Sequence, residues 1–159
     1  MFRRNPAPRQ SVCPKARISN PAFPENSSTQ RPQISAELVL IRGLPGSGKS
    51  TMARKMASAG FEHFEADMFF TVNGVYSYDA SQIREAHFWC QQKAREALAS
   101  GRQVVVSNTF TRLQELEPYG SMTKNIRILE ACGKWDNVHS VPAETVRRMA
   151  KRWEPLLAN

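Results

Sequence analysis

The sequence predicts an α/β fold in which a parallel sheet of about four strands carries helices on both faces. Three observations predict it. Short, nearly all-apolar runs recur along the chain, as strands buried on both faces require. Helical patterns alternate with those runs, and a glycine-rich loop joins the first run directly to the first helix. Such alternation implies right-handed crossovers and ligands bound beyond the carboxyl ends of the strands.

The first strand is read over Glu37-Leu38-Val39-Leu40-Ile41-Arg42. The loop after it, Gly43-Leu44-Pro45-Gly46-Ser47-Gly48-Lys49-Ser50, satisfies G-x-x-x-x-G-K-[ST] in full and is continued by Thr51. Its glycines let backbone N–H groups turn inward as an anion nest, and the helix that follows adds its dipole. Residues 43–51 are therefore the candidate phosphate cradle. Within it Lys49 supplies a mobile cation for β- and γ-phosphates, and Ser50 offers a hydroxyl to a Mg²⁺ shell. Met52, Ala53, Met56 and Ala57 fall at helical spacing, and Ala59-Gly60 reads as the stop.

A second strand is expected over Phe61 to Ala66, delivering Asp67 to the rim, with Glu65 on the same face as a weaker substitute. Met68 to Tyr78 mixes aromatics with the turn signal Asn73-Gly74. Phe69, Phe70, Tyr76 and Tyr78 are read as packing or as an acceptor wall. Asp79 or Ser81 caps a long helix to about Ser100, with Ile83, Ala86, His87, Cys90, Ala94, Ala97 and Leu98 along one face. Gln103 to Ser107 is the third strand and leads to Asn108 and Thr109. A short helix broken near Pro118, a fourth strand over Asn125 to Glu130, and a last helix opened by Pro142 complete the pattern.

Composition bounds the rest. The 159 residues suffice for one domain with a core. Of the formal charge of +8, +5 lies in residues 1–35, where six basic side chains face Glu25 alone. That stretch holds Pro6, Pro8, Pro14, Pro21, Pro24 and Pro32 without periodicity and is read as a disordered extension, leaving 36–159 as the folded domain. The body's +3 does not by itself argue for a nucleic-acid surface. Three cysteines without a C-x-x-C pattern are read as reduced thiols and no zinc site. No apolar run reaches membrane-spanning length, so no membrane partner is expected and a cytoplasmic location is the default.

Phosphoryl transfer needs a group to activate the acceptor, help with Mg²⁺, and positive charge at the moving phosphoryl. Asp67 is the candidate general base, and a helix or turn cap is its bland alternative. The third strand, where an acidic residue is expected, reads Ser107-Asn108-Thr109; Asn108 and Thr109 are candidate substrate contacts or an ordinary strand-end turn. Arg148 and Arg152, four apart on one helix, are candidate transition-state cations in a lid-like segment over about 133–152, with a solvated helix face as the alternative. His139 heads that segment.

These residues together resemble a bacterial and phage family of AAA-type ATP-binding P-loop proteins that looks like the kinase half of polynucleotide kinase. The resemblance covers about residues 36–155. It rests on Gly43 to Thr51, Asp67 with Phe69-Phe70, Asn73-Gly74-Val75-Tyr76, Ala86-His87-Phe88-Trp89, Val106-Ser107-Asn108-Thr109, Glu117-Pro118-Tyr119, Asn137 to Pro142, and Arg152-Trp153-Glu154. It implies a P-loop kinase-like fold with a trimmed sheet of four strands in the order 2-3-1-4, ATP with Mg²⁺ at Lys49 and Ser50, and Asp67 in the acceptor-activating place. It also implies a lid near 147–152 and a nucleotide or nucleic-acid end as acceptor. Where that kinase carries an arginine shortly after the aspartate, this chain has Met68, Phe69 and Phe70. Two alternatives stand beside it: an ATP-binding or ATPase module without transferase activity, and a sugar-nucleotide kinase resembling the zeta-type toxins.

Overall fold

The computed structural model describes residues 36–135 and 141–156. The extension at 1–35, His139 and the stretch 136–140 of the lid-like segment lie outside them. In chain order the elements are β1 (Leu38–Arg42), α1 (Lys49–Ser58), β2 (Glu62–Phe64), β3 (Thr71–Val72), β4 (Val75–Tyr76), α2 (Ile83–Ala99), β5 (Val104–Ser107), α3 (Glu117–Gly120), β6 (Ile126–Glu130) and α4 (Ala143–Lys151). Single 3₁₀ turns occupy Ala66–Phe70, Ala80–Gln82 and Leu113–Glu115.

β2, β5, β1 and β6 lie side by side in that order, all parallel, which is the expected 2-3-1-4 arrangement of a P-loop fold. Every residue of β1 is buried, because the strand is central and covered on both faces. Its side chains alternate between two cores. Leu38 and Leu40, with Val104 and Val106, pack against Cys90, Ala94, Ala97 and Leu98 of α2. Val39, Ile41 and Val105 meet Ala53, Met52 and Met56 of α1 on the other face. Each such aliphatic side chain withdrawn from water contributes about 1.5–3 kcal/mol, so the α1–β1–β5–α2 sandwich is the rigid part on which the loops stand.

Several local readings shift. The second strand stops at Phe64, because the chain tightens into the 3₁₀ turn from Ala66. Asn73 (φ 51°) and Gly74 (φ 79°) both take left-handed backbone and close a hairpin between β3 and β4. Pro118 sits in the first turn of α3, where its missing N–H is harmless, so the break falls at Leu116 before it. Pro142 is the residue preceding α4. Cys90 is a buried free thiol, as expected of a reduced cysteine.

Candidate active site

β1 ends at Arg42 and α1 begins at Lys49, so the six residues between them form the loop. Gly46 (φ 77°) and Gly48 (φ 90°) adopt left-handed backbone, which turns successive N–H groups to one side. No side chain caps α1, and its first-turn N–H groups are left to a ligand. A methyl group at Gly43 would come within 2.4 Å of Ser47 Oγ, and one at Gly48 within 2.6 Å of the Trp135 ring. Ser47 Oγ is buried and has no hydrogen-bond partner among the described residues. A cradle lined with free donors and too tight for side chains fits a phosphate chain.

Lys49 lies across the mouth of the loop. Its ammonium donates to the Leu44 carbonyl at 3.0 Å. Burial lowers its pKa, and the charges of Glu65 and Asp67 work against that shift, so both carboxylates stand near it. Asp67 is half-buried and lies inside the 3₁₀ turn that follows β2 rather than directly at the end of the strand. Tyr76 of the hairpin hydrogen-bonds Asp67; burial first, and then the aspartate's charge, push the phenol's pKa up.

Glu65 holds a larger place than the sequence suggested. It is buried, its Oε1 accepts from Ser107 Oγ at 2.6 Å, and His63 Nε2 stands 2.9 Å from the same oxygen. His63 Nε2 is also 2.9 Å from Ser107 Oγ. Burial would raise the Glu65 pKa, but hydrogen bonds from His63, Ser107 and Ser50 together outweigh it and hold the carboxyl below its ordinary value. The Ser50 hydroxyl and an ionised carboxylate are hard oxygen donors of the kind Mg²⁺ takes. The signal for Glu65 was the spacing Glu65-Ala66-Asp67, which alternation along a strand undersold once the strand ended at Phe64.

The structure gives Asn108 internal partners. Its Oδ1 accepts from the Ala66 N–H at 2.9 Å and its Nδ2 contacts Cys90 Sγ at 3.6 Å, so the side chain braces the turn that carries Asp67. Thr109 meets the loop through its backbone, its carbonyl accepting from the Gly43 N–H at 3.2 Å. Of the four aromatics, Phe70 is buried and Phe69 packs edge-on to Trp89, whereas Tyr76 (42%) and Tyr78 (55%) stay largely exposed.

Arg148 and Arg152 are not brought to the loop together. Arg148 is exposed and bonds Thr145 on its own helix, while Arg152 Nε donates to Thr111 Oγ1 at 3.1 Å. Both described ends of the lid-like segment are tied down. Gly133 and Trp135 donate backbone N–H groups to Ser47 and Gly46 of the loop at 3.1 and 2.9 Å. At the other end Arg152 is held by Thr111, and just beyond it the Leu113 N–H donates to Glu154 Oε2 at 2.8 Å. Between the loop and α4 lies a cavity of about 940 Å³ walled by Leu44, Gly46, Trp135, Val146, Ala150 and Trp153.

Residues 38–155 match the family model AAA_33, described as an AAA domain. The chain belongs to this family. It is 31% identical over 133 residues to human NEDD4-binding protein 2, a match covering 74% of this chain and 8% of that protein. It is also 31% identical over 134 residues to the uncharacterised protein PM0531 of Pasteurella multocida strain Pm70, covering 70% of this chain and 73% of that one. Among solved structures, the Pnkp1/Rnl/Hen1 complex contains a chain that superposes with a TM-score of 0.50 at 17% identity, over 85% of this chain and 43% of that one. The chain thus spans less than a tenth of the human relative's length. The domain is an AAA domain with a P-loop fold, and no helix of the described residues is long and apolar enough to cross a membrane.

Proposed function

We propose that the domain transfers the γ-phosphoryl group of ATP, bound with Mg²⁺, to a hydroxyl of a nucleotide or polynucleotide end. The observation that carries this is the placement of Asp67 beside Lys49 at the mouth of an uncapped phosphate loop. The loop's N–H groups and Lys49 hold the β- and γ-phosphates. Ser50 is the loop's ligand to the cation, which when bound neutralises charge building on the phosphoryl oxygens. Asp67 accepts the proton of the acceptor hydroxyl as its oxygen bonds to the γ-phosphorus, and the bond to the bridging oxygen breaks to release ADP. Tyr76, which hydrogen-bonds Asp67, and its exposed neighbour Tyr78 give an acceptor base a face to stack on. The cavity walled by Trp135 and Trp153 has room for the nucleoside half of ATP. Arg148 and Arg152 supply transition-state charge in this reading only if α4 moves, since Arg152 is held by Thr111.

The acceptor class rests on the resemblance of residues 36–155 to the kinase half of polynucleotide kinase. A screen of labelled γ-phosphate transfer to 5′-hydroxyl DNA and RNA oligonucleotides, nucleosides and sugar nucleotides tests it. Label on an oligonucleotide or nucleotide is the expected result, and label on a sugar nucleotide alone contradicts the acceptor class. A second reading, an ATP-binding module without transferase activity, is favoured by one observation: β5 ends in the uncharged Ser107 where a metal-assisting acid is expected. ATP binding with no labelled acceptor would support that reading instead.

A further inference from the structure

We propose that Glu65 supplies, from the end of β2, the metal-orienting carboxylate that β5 lacks, holding with Ser50 the water shell of the divalent cation that accompanies the nucleotide. The proposal rests on the nucleotide reading of the loop. Phe64 pairs with Val106 across the β2–β5 ladder, so the next residues, Glu65 and Ser107, stand level on adjacent strands. Neighbouring strands are about 4.8 Å apart. A carboxylate moved sideways by one strand therefore stays at the same height on the rim, and glutamate's extra methylene extends its reach.

The contacts support a positioned acid rather than a stray buried one. Ser107 Oγ donates to Glu65 Oε1 at 2.6 Å, and His63 Nε2 lies 2.9 Å from that oxygen. Both contacts fall on Oε1, and Oε2 is the oxygen with which the carboxylate can accept from a metal-bound water. On the loop side the carboxylate is approached by the Ser50 hydroxyl, and the Lys49 charge lies near. Burying a carboxylate is expensive unless it is paired and hydrogen-bonded. Here the residue that replaces an acid on β5 spends its hydroxyl on orienting the acid next door. Ser107 and His63 are thus positioning residues for Glu65.

The test is a binding measurement on the full chain. ATP affinity is titrated for the wild type and Glu65→Gln, once with EDTA and once with Mg²⁺, and bound Mn²⁺ is followed by electron paramagnetic resonance with ATP present. The wild type is expected to bind ATP more tightly with metal. Glu65→Gln is expected to bind at least as well as the wild type without metal, to lose about tenfold or more of the metal-dependent gain, and to change the Mn²⁺ spectrum. The double variant Glu65→Gln/Ser107→Asp, which returns the acid to β5, is expected to recover most of that gain. An undiminished metal gain in Glu65→Gln would overturn the proposal. So would equal losses with and without metal that Ser107→Asp leaves unrepaired, which mark a structural brace. Absence of ATP binding in the wild type would overturn the nucleotide reading itself and the proposal with it.

Discussion

The guanidinium carbon of Arg42 lies 4.0 Å from the centroid of the Trp153 ring, joining the last residue of β1 to the far end of the domain. Arg42 is fully buried. Its Nε donates to the Phe110 carbonyl at 3.1 Å, one Nη to the Glu154 carbonyl at 2.7 Å, and the other lies 3.4 Å from Glu130 Oε1. Phe110 takes left-handed backbone (φ 44°) while giving its carbonyl to this arginine, so the knot also holds a strained residue. The side chain fastens the strand that launches the phosphate loop to the segment that follows α4.

Removing that knot is costly. Arg42→Ala strands a buried cluster of acceptors together with part of the Glu130 charge, and is expected to cost about 3–5 kcal/mol of stability. Equilibrium denaturation in urea checks it. A loss below about 1 kcal/mol would mean that water replaces the guanidinium at little cost.

Asn108 is predicted to act on the turn rather than on a ligand. Asn108→Ala leaves the N–H of the buried Ala66 without its acceptor, worth about 1–3 kcal/mol. Urea denaturation should show that loss while ATP affinity stays within about twofold of the wild type. A selective drop in ATP affinity at unchanged stability would return Asn108 to the ligand.

His87 gives the fold an acid-sensitive element. Burial lowers its pKa, opposed by the charges of Glu115 and Asp67. A histidine whose folded pKa lies below its unfolded value, near 6.5, contributes stability that is complete above about pH 6.5. That stability is lost as pH falls toward and through the folded value. The wild type should therefore lose stability on acidification from pH 7 to pH 5 more steeply than His87→Gln, as thermal melts across that range would reveal. Parallel slopes would show that His87 protonates without penalty.

Much of this architecture is legible in the sequence, for reasons that differ by element. β1, β5 and the loop are local signals: apolar runs and fixed glycines determine their own backbone, whereas the sheet order comes from the resemblance to a P-loop kinase fold. The buried face of α2 is read directly from its spacing, Ala86, Cys90, Ala94 and Ala97 all being inside. Arg42 shows the limit. At the end of an apolar strand it looks like a solvent-facing terminus, and nothing nearby announces that Trp153 and Glu154 will cover it. Asn108 likewise meets Ala66 and Cys90 only through the fold. Glu65 was undervalued because the rule that residues two apart share a face holds only while the strand continues, and β2 stops one residue earlier.

The loop lysine carries a prediction of its own. Lys49→Ala removes the half-buried cation at the mouth of the cradle, and hydrogen bonds to charged groups are worth about 1.5–3 kcal/mol. ATP affinity should fall by about 10–100-fold in an equilibrium titration. Unchanged affinity would take the nucleotide away from this loop.

The central claim is that Asp67 activates an acceptor hydroxyl beside a bound γ-phosphate, and one paired measurement tests it most directly. Phosphoryl transfer and ATP affinity are determined on the same preparations of the wild type and Asp67→Asn, using the acceptor that the label screen identifies. The account predicts a fall in turnover of about 10²–10⁴-fold, the usual worth of a positioned general base, with ATP affinity within about twofold of the wild type. Turnover that survives the substitution would contradict it.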